Sequence, residues 1–145
     1  MVESCNAALN ESGISAQNYN ASLFNRGVIY MNLDELEKAR GDFEALLDKD
    51  PKYGDAYLSL GTLSANAARF EEAKTYAQKA LTSEISQPER AYVLLGFVGE
   101  QEFNFGISRA AYQEALRLRP GSADIRRKLD RLNRLWPENA PTTGS

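Results

Sequence analysis

The chain has 145 residues, of which 43% are hydrophobic and 26% are charged, and its formal net charge is −3. This composition is typical of a globular domain, and the small negative charge gives no reason to expect nucleic acid as a partner. No apolar run approaches the roughly 20 residues of a membrane-spanning helix, so we expect no membrane insertion.

Two residue types that carry much enzyme chemistry are almost missing. The chain has no histidine, and Cys5 is its single cysteine. Without histidine, the commonest general base and every serine–histidine or cysteine–histidine pair are excluded, and so are the usual zinc ligand sets. The phosphate-binding pattern GxxxxGK followed by Ser or Thr is absent as well. We therefore predict a protein that is not an enzyme, with no catalytic residue, no bound metal and no cofactor.

Helical patterns run through the chain, beginning with a short helix predicted at residues 2–11. Apolar residues recur at three- and four-residue steps, and few stretches show the alternation expected of strands. The prolines lie at the edges of the helical stretches, where a missing N–H is tolerated. They are Pro51, Pro88, Pro120, Pro137 and Pro141. The sequence therefore predicts an all-α fold.

Three segments in the middle of the chain repeat one pattern around a glycine. They read LFNRGVIY at 23–30, YLSLGTLS at 57–64 and YVLLGFVG at 92–99. Their glycines, Gly27, Gly61 and Gly96, are 34 and 35 residues apart, and a small residue follows each glycine twelve positions later. A glycine on one helix and a small residue on the next let the two helices pack closely. Because one such pair cannot bury its apolar face alone, we expect the pairs to stack.

This spacing resembles the tetratricopeptide repeat, a family with a period of about 34 residues. The resemblance places repeat one at 20–53, repeat two at 54–87 and repeat three at 89–122. It implies a right-handed α-solenoid of three helix pairs in a single domain at 1–136. The helix at 2–11 would be an N-terminal half-repeat, and a capping helix at 122–136 would close the other end. Residues 137–145 read as a disordered tail.

The resemblance also implies where a partner would bind, because the first helix of each pair lines the concave face of such arrays. Besides Ala21 and Asp55, the residues at the exposed groove positions are Phe24, Val28, Met31, Leu58, Thr62, Ala65, Arg90, Val93, Phe97 and Glu100. Most of them are apolar, and an exposed apolar strip usually marks a contact surface. We therefore predict a protein–protein interaction module that binds an extended peptide or a partner helix in this groove.

A self-associating protein is the alternative. The helix that contains Cys5, the tail or a second copy of the chain would also fill the groove. The protein would then be a structural scaffold or assembly factor, with the groove or the basic surface of the capping helix as an oligomer interface. That basic surface comprises Arg126, Arg127, Lys128, Arg131 and Arg134. Its simpler interpretation is a solvated face, which the end of a helical array needs.

One known binding mode of the family can be compared position by position. Chaperone-binding members hold a terminal carboxylate with basic residues and asparagines on three repeats. The corresponding residues in this sequence are Phe24, Val28, Ser59, Arg90 and Leu94. Only Arg90 has the required chemistry, so we predict that the groove has no carboxylate clamp.

Arg26 occupies a position at which the repeat usually has leucine. We expect its aliphatic stem to pack between helices. Its guanidinium would then reach the surface or an acidic side chain such as Glu3 or Glu11.

The opening of the chain resembles that of small exported tetratricopeptide proteins of Gram-negative bacteria. The resemblance rests on Cys5-x2-Ala8-Leu9, on Ser12-Gly13-Ile14-Ser15 and on Asn25-Arg26-Gly27. Because those proteins usually carry a cleaved signal peptide, it implies a periplasmic location for the mature chain, with the cytoplasm as the alternative.

Overall fold

The structure is a computed structural model, and it describes residues 1–11 and 13–139. Within those residues all regular structure is helical, apart from one isolated bridge between Tyr53 and Glu84. The helices are α1 (Val2–Asn10), α2 (Ala16–Asn32), α3 (Leu36–Lys49), α4 (Gly54–Asn66), α5 (Phe70–Leu81), α6 (Pro88–Gln101), α7 (Phe105–Leu118) and α8 (Ala123–Leu135). None of these helices is long and apolar enough to cross a membrane.

The all-α repeat fold that the sequence predicts is confirmed. The last helix, α8, begins directly after Ser122, whose Oγ accepts a hydrogen bond from the backbone N–H of Ile125 at 3.3 Å. Where we expected one domain, the chain divides into two compact units, unit 1 at Met1–Ser86 and unit 2 from Gln87 onward. Most of the predicted disordered tail, residues 140–145, lies outside the described residues.

Unit 1 stacks its helices in chain order. Helix α1 packs on α2, α2 on α3, α3 on α4 and α4 on α5. The hydrophobic core lies between α2, α3 and α4, and its buried residues are Leu23, Ala39, Phe43, Leu46, Ala56, Leu60 and Leu63. Helix α5 turns Ala73, Ala77 and Ala80 inward, all fully buried. Small inward side chains let a helix lie close to its neighbour, as the sequence pattern predicts.

The contact between α2 and α3 is set by a glycine and a phenylalanine. Phe43 is fully buried, and its ring lies directly against Gly27. A Cβ atom added at Gly27 would be 2.6 Å from Cε1 of Phe43, which is closer than real side chains approach. Gly27 therefore sets how closely α2 and α3 pack.

Unit 2 uses the same arrangement. Helix α6 packs on α7, and α7 packs on α8. The ring of Tyr112 is 1% exposed and takes the place that Phe43 has in unit 1. A Cβ atom added at Gly96 would be 2.5 Å from the Cε1 atom of that ring. Ser108 adds a hydrogen bond, because its Oγ donates to the carbonyl oxygen of Gly96 at 2.7 Å.

The turn between the two helices of each pair has one repeated backbone geometry. Its central residue lies in the left-handed region, with φ of 61° at Asp34 and 57° at both Ala68 and Phe103. The next N–H donates to a carbonyl oxygen five residues earlier, as in Glu35 to Tyr30 at 2.9 Å and Asn104 to Gly99 at 2.8 Å. This is the usual way in which a helix end satisfies its last carbonyl groups. The third pair therefore forms the same turn as the first two, with Phe103 as its central residue.

Candidate partner-binding site

Helix α2 presents the apolar strip that the sequence predicts, although the strip is only partly exposed. Phe24, Val28 and Met31 are half-buried and pack against the core of unit 1. The ring centroid of Phe24 lies 5.8 Å from that of Phe43 and 5.4 Å from that of Tyr53. One side of each residue therefore supports the core, and the other side remains available to a partner.

On α4 the prediction of exposed groove residues is wrong at two positions. Leu58 is 4% exposed and Ala65 is 5% exposed. The reason is that α4 is an interior helix, with eight buried residues spread around its circumference. Thr62 stays half-buried, and its hydroxyl group donates to the carbonyl oxygen of Leu58 at 3.0 Å. Helix α4 therefore contributes its first turn, rather than its length, to an accessible surface.

A cavity of about 700 Å³ opens at that first turn. It lies between the start of α2, the end of α3, the start of α4 and the loop that follows α5. Its lining residues are Gln17, Asn20, Ala21, Asp50, Tyr53, Asp55, Glu84, Ile85 and Ser86. Two of them, Ala21 and Asp55, are groove residues expected from the sequence. We call this space the acidic cavity, because three carboxyl groups line it and no basic side chain does.

The loop wall of the acidic cavity is held by hydrogen bonds from the backbone and from Asp55. The N–H of Gly54 donates to the carbonyl oxygen of Glu84 at 2.8 Å, and the N–H of Glu84 donates to that of Lys52 at 2.9 Å. The hydroxyl of Ser86 donates to Oδ1 of Asp55 at 2.9 Å. Gly54 is required here, since an added Cβ would lie 2.7 Å from the carbonyl oxygen of Glu84.

Tyr53 connects the acidic cavity to the apolar strip, because its ring contacts Phe24 while it also lines the cavity. Burial raises the pKa of Tyr53, and the negative charges of Asp55 and Asp50 raise it further. The phenol is therefore protonated at neutral pH and can donate a hydrogen bond to a ligand. The two carboxylates, Asp50 and Asp55, make the electrostatic potential beside the phenol negative.

In unit 2 the predicted groove residues fall into two groups. Arg90 and Phe97 are exposed and Val93 is half-buried, so these three residues are accessible. The side chain of Glu100 is 11% exposed, and we expected it to be free. It accepts hydrogen bonds from the hydroxyl group of Tyr112 at 2.6 Å and from Nη2 of Arg131 at 2.6 Å. Glu100 therefore anchors α8 to the helix pair and is not a free groove charge.

The same interactions change the interpretation of the basic surface on α8. Arg131 pairs with Glu100, and Arg127 and Lys128 lie 3.4 and 4.0 Å from the carboxylate of Asp124. Arg126 and Arg134 are exposed, and across the described part of the chain neither forms an ion pair. Only these two arginines are therefore available to a partner's carboxylates.

Arg26 has a different partner from the one expected. Instead of Glu3 or Glu11, it binds Asp42 on α3, with Nη2 to Oδ1 at 2.6 Å and Nε to Oδ2 at 2.7 Å. Nη1 donates to Oδ1 of Asn6 on α1 at 2.8 Å. The hydrogen bond to Asp42 raises the pKa of Arg26, so the guanidinium stays charged. Arg26 therefore joins α1, α2 and α3, which makes its role structural.

Comparison with known proteins agrees with this geometry. Residues 21–53 match one model of the tetratricopeptide repeat, and residues 54–84 match another. Residues 21–84 therefore carry two tetratricopeptide repeats (TPRs). Human tetratricopeptide repeat protein 6 is 34% identical over 73 residues, a segment that covers 50% of this chain but only 14% of that protein. The chain thus corresponds to a small part of this relative.

Several solved structures share the fold at low sequence identity, and some of them are TPR domains. The TPR domain of Arabidopsis OM64 superimposes with a TM-score of 0.72 at 16% identity, over 80% of this chain and 95% of that one. MamA superimposes with a TM-score of 0.74 at 18% identity, over 92% of this chain and 75% of that one. The first TPR domain of Spaghetti (RPAP3) was solved with a bound HSP90 peptide. It superimposes with a TM-score of 0.73 at 16% identity, over 80% of this chain and 91% of that one. These similarities establish the fold of the repeats.

The acidic cavity is the feature that sequence reasoning missed. Its lining comes from four separate places in the chain, and Gln17 and the loop at 84–86 lie outside the expected groove positions. The periodicity of the repeat specifies helix faces, whereas the wall of this cavity is a loop. Glu84 and Ser86 could be recognised only from the hydrogen bonds that draw the loop toward α4.

Proposed function

We propose that the chain is a non-enzymatic protein-interaction module, which binds an extended peptide or partner helix along α2 and in the acidic cavity of unit 1. The observation that carries this proposal is the junction of two surfaces through Tyr53: an apolar strip of Phe24, Val28 and Met31, and a polar cavity of about 700 Å³. Two TPR domains of RPAP3 with the same fold were solved with HSP90 and HSP70 peptides, which supports a peptide as the partner class.

The chemistry of the acidic cavity favours a particular kind of peptide. The side-chain amides of Gln17 and Asn20 both donate and accept hydrogen bonds, as the backbone of an extended peptide requires. The carboxylates of Asp50, Asp55 and Glu84 favour a lysine, arginine or free amine and repel a terminal carboxylate. We therefore infer a peptide with apolar residues beside a basic residue. A peptide of this kind is consistent with the prediction from the sequence that the groove has no carboxylate clamp.

A blocking substitution tests the proposed site without disturbing the core. Ala21 is exposed on α2 and lines the cavity, so Ala21→Trp should fill the space that a peptide needs. Ala45→Trp is the matched control, since Ala45 is equally exposed on α3 and does not line the cavity. Both variants should keep the melting temperature of the unchanged chain.

The binding probe is a displayed library of random peptides, panned against the immobilised chain and followed by fluorescence polarisation of the enriched peptides. We expect enriched peptides to carry Lys or Arg next to apolar residues, and Ala21→Trp to weaken them about tenfold or more while Ala45→Trp does not. Amidating the peptide's carboxyl end should leave the affinity unchanged. Equal affinity for both tryptophan variants would exclude this site, and a requirement for the free carboxylate would show that a clamp exists.

That the chain is not an enzyme is part of this proposal, and it rests on the residue types that the chain contains. Within the described residues there is no group of three or more His, Cys, Asp or Glu side chains arranged to hold a metal ion. The sequence contains no histidine to act as a general base. The polar groups of the acidic cavity are therefore best explained as binding groups.

We keep the periplasm as the proposed compartment, on the resemblance of the opening segment alone, with the cytoplasm as the alternative. Fractionation of cells that express the full native gene, followed by immunoblotting for this chain, tests the proposal. Recovery of the chain with the cytoplasmic fraction would reject it.

A further inference from the structure

Unit 2 displays a cluster of aromatic side chains on its surface, which we call the aromatic patch. It consists of Phe103, Phe105 and Trp136. The ring of Phe105 stacks on that of Trp136 with a centroid distance of 4.1 Å, and the ring of Phe103 meets Phe105 edge-on at 6.2 Å. Phe103 is 79% exposed, and Trp136 is 36% exposed. Next to Trp136 stand Leu135, which is 55% exposed, and Arg134, which forms no ion pair with any residue that the structure describes.

Neither the backbone nor burial favours a phenylalanine at position 103. Its φ of 57° lies in the left-handed region, which disfavours a bulky side chain. The equivalent turn residues in the other two pairs are Asp34 and Ala68, one polar and one small. A residue that is both conformationally disfavoured and left in water does not stabilise the monomer, and such positions commonly serve a contact.

A second exposed patch occurs in unit 1, at the turn between α2 and α3. We call it the acidic turn. Leu33 is 58% exposed and Leu36 is 40% exposed, and they alternate with acidic residues in the stretch LDELE. Glu35 is paired with Lys38, whereas Asp34 and Glu37 form no ion pair within the described residues. The acidic turn thus combines apolar side chains with unpaired negative charge.

The two parts of the chain carry net charges of opposite sign: the part with the acidic turn is negative, and the part with the aromatic patch and Arg134 is positive. Residues 1–86 carry 13 acidic and 8 basic side chains, a net charge of −5, and residues 87–145 carry 7 acidic and 9 basic, a net charge of +2. On α8, Arg126 and Arg134 are exposed without an ion pair in the described residues. Neither patch complements itself, because like charges would meet, but each complements the other.

We propose that copies of this chain associate through these two patches, with the aromatic patch and Arg134 of one copy docked on the acidic turn of another. The apolar side chains of both patches would supply the buried area, and the opposite charges would fix which surfaces meet. The contact is between unlike surfaces, so it can be repeated from one copy to the next. It uses no residue that lines the acidic cavity, and it stands independently of peptide binding.

The experiment measures the mass of the purified chain by sedimentation velocity over a range of protein concentrations. We expect association that grows with concentration and weakens in about 1 M salt, where charges are screened within about 3 Å. Phe103→Asn should weaken association about tenfold or more, because it removes the aromatic anchor while asparagine tolerates the left-handed backbone. Ala68→Asn is the matched control: it introduces the same residue at the equivalent turn of the second pair, outside both patches, and should associate normally.

A charge exchange tests the pairing of the two patches. Arg134→Glu alone should weaken association, and adding Glu37→Lys to the same chain should restore it, since every contact then carries the reversed pair. A chain that remains monomeric at all concentrations, or Phe103→Asn that associates as strongly as the unchanged chain, would overturn the proposal. So would a monomeric chain that binds vesicles of phosphatidylglycerol and phosphatidylcholine through Phe103, because the patch would then face a membrane.

Discussion

Replacing Gly27 with alanine would test directly whether the distance between α2 and α3 is set by the contact of glycine with phenylalanine. The added Cβ would lie 2.6 Å from Cε1 and 2.9 Å from Cζ of Phe43. The ring cannot withdraw easily, because it is fully buried and its centroid lies 5.8 Å from that of Phe24. The two helices must therefore separate, or the ring must leave its preferred rotamer.

The expected magnitude combines two opposing effects. Alanine favours a helix over glycine by about 1 kcal/mol, which would stabilise the variant. Overpacking a filled core costs about 1–3 kcal/mol, which would destabilise it. We therefore expect Gly27→Ala to lower the free energy of unfolding by up to about 2 kcal/mol.

Gly41 provides the matched control for the helix-propensity effect. It lies on α3, and a Cβ added there would have no atom within 4 Å. Gly41→Ala should therefore raise the free energy of unfolding by about 0.5–1 kcal/mol. The difference between the two variants, about 1–3 kcal/mol, isolates the steric cost.

Both variants can be measured by urea unfolding followed by far-ultraviolet circular dichroism. Gly27→Ala should cost less in a Phe43→Leu background, because the shorter side chain leaves room for the added methyl group. If Gly27→Ala stabilised the chain as much as Gly41→Ala, the steric argument would be refuted. Additive effects of Gly27→Ala and Phe43→Leu would refute it too, since residues in contact should couple.

Three further predictions concern polar groups and turns. Burial, together with the hydrogen bond to Glu100, raises the pKa of Tyr112, so its phenol should stay protonated above about pH 10, where a free tyrosine ionises. Tyr112 therefore contributes its full stabilisation at any pH below the pKa of an unfolded tyrosine, and this stabilisation is lost as the pH rises through the pKa of Tyr112 in the folded chain. Tyr112→Phe should make the free energy of unfolding fall less steeply at alkaline pH, as measured by alkaline unfolding followed by ultraviolet absorbance. Asp42→Ala should lower the free energy of unfolding by about 1–3 kcal/mol in urea, because it leaves the guanidinium of Arg26 without its carboxylate; a smaller loss than for an exposed carboxylate would contradict this. Ala68→Gly should raise the melting temperature and add about 1 kcal/mol, because glycine adopts the left-handed backbone freely, and a destabilised variant would contradict the turn geometry.

Features that depend on neighbouring helices in one pair could be predicted from the sequence. Gly27 and Gly96 were identified by their spacing, and both lie against an aromatic ring of the following helix. The reason is local: the two helices of a pair are joined by a short turn, so a fixed offset along the chain becomes a fixed contact in space. The ends of α8 could likewise be predicted, because its cap and its apolar stripe lie within the sequence of the helix itself.

Features that depend on more distant neighbours could not be predicted. Leu58 and Ala65 occupy positions that face solvent in a free groove, but both are buried in the structure. The helical period records which residues share a face, and it does not record whether another element covers that face. For Arg26 and Glu100, the sequence shows the charge, whereas the partner is chosen by which helix lies within reach of a long side chain.

The hydrogen bonds that tie the loop at 84–86 to the start of α4 have a consequence for the entropy of binding. A wall held by Gly54, Lys52 and Asp55 has already lost its freedom before a peptide arrives, so a peptide does not have to order it. Amide protons of Gly54 and Glu84 should exchange slowly with solvent in the free chain, and binding should change their exchange little. The entropy lost on binding would then come mainly from the peptide, which makes rigid or cyclised peptides the preferred starting point for tight ligands.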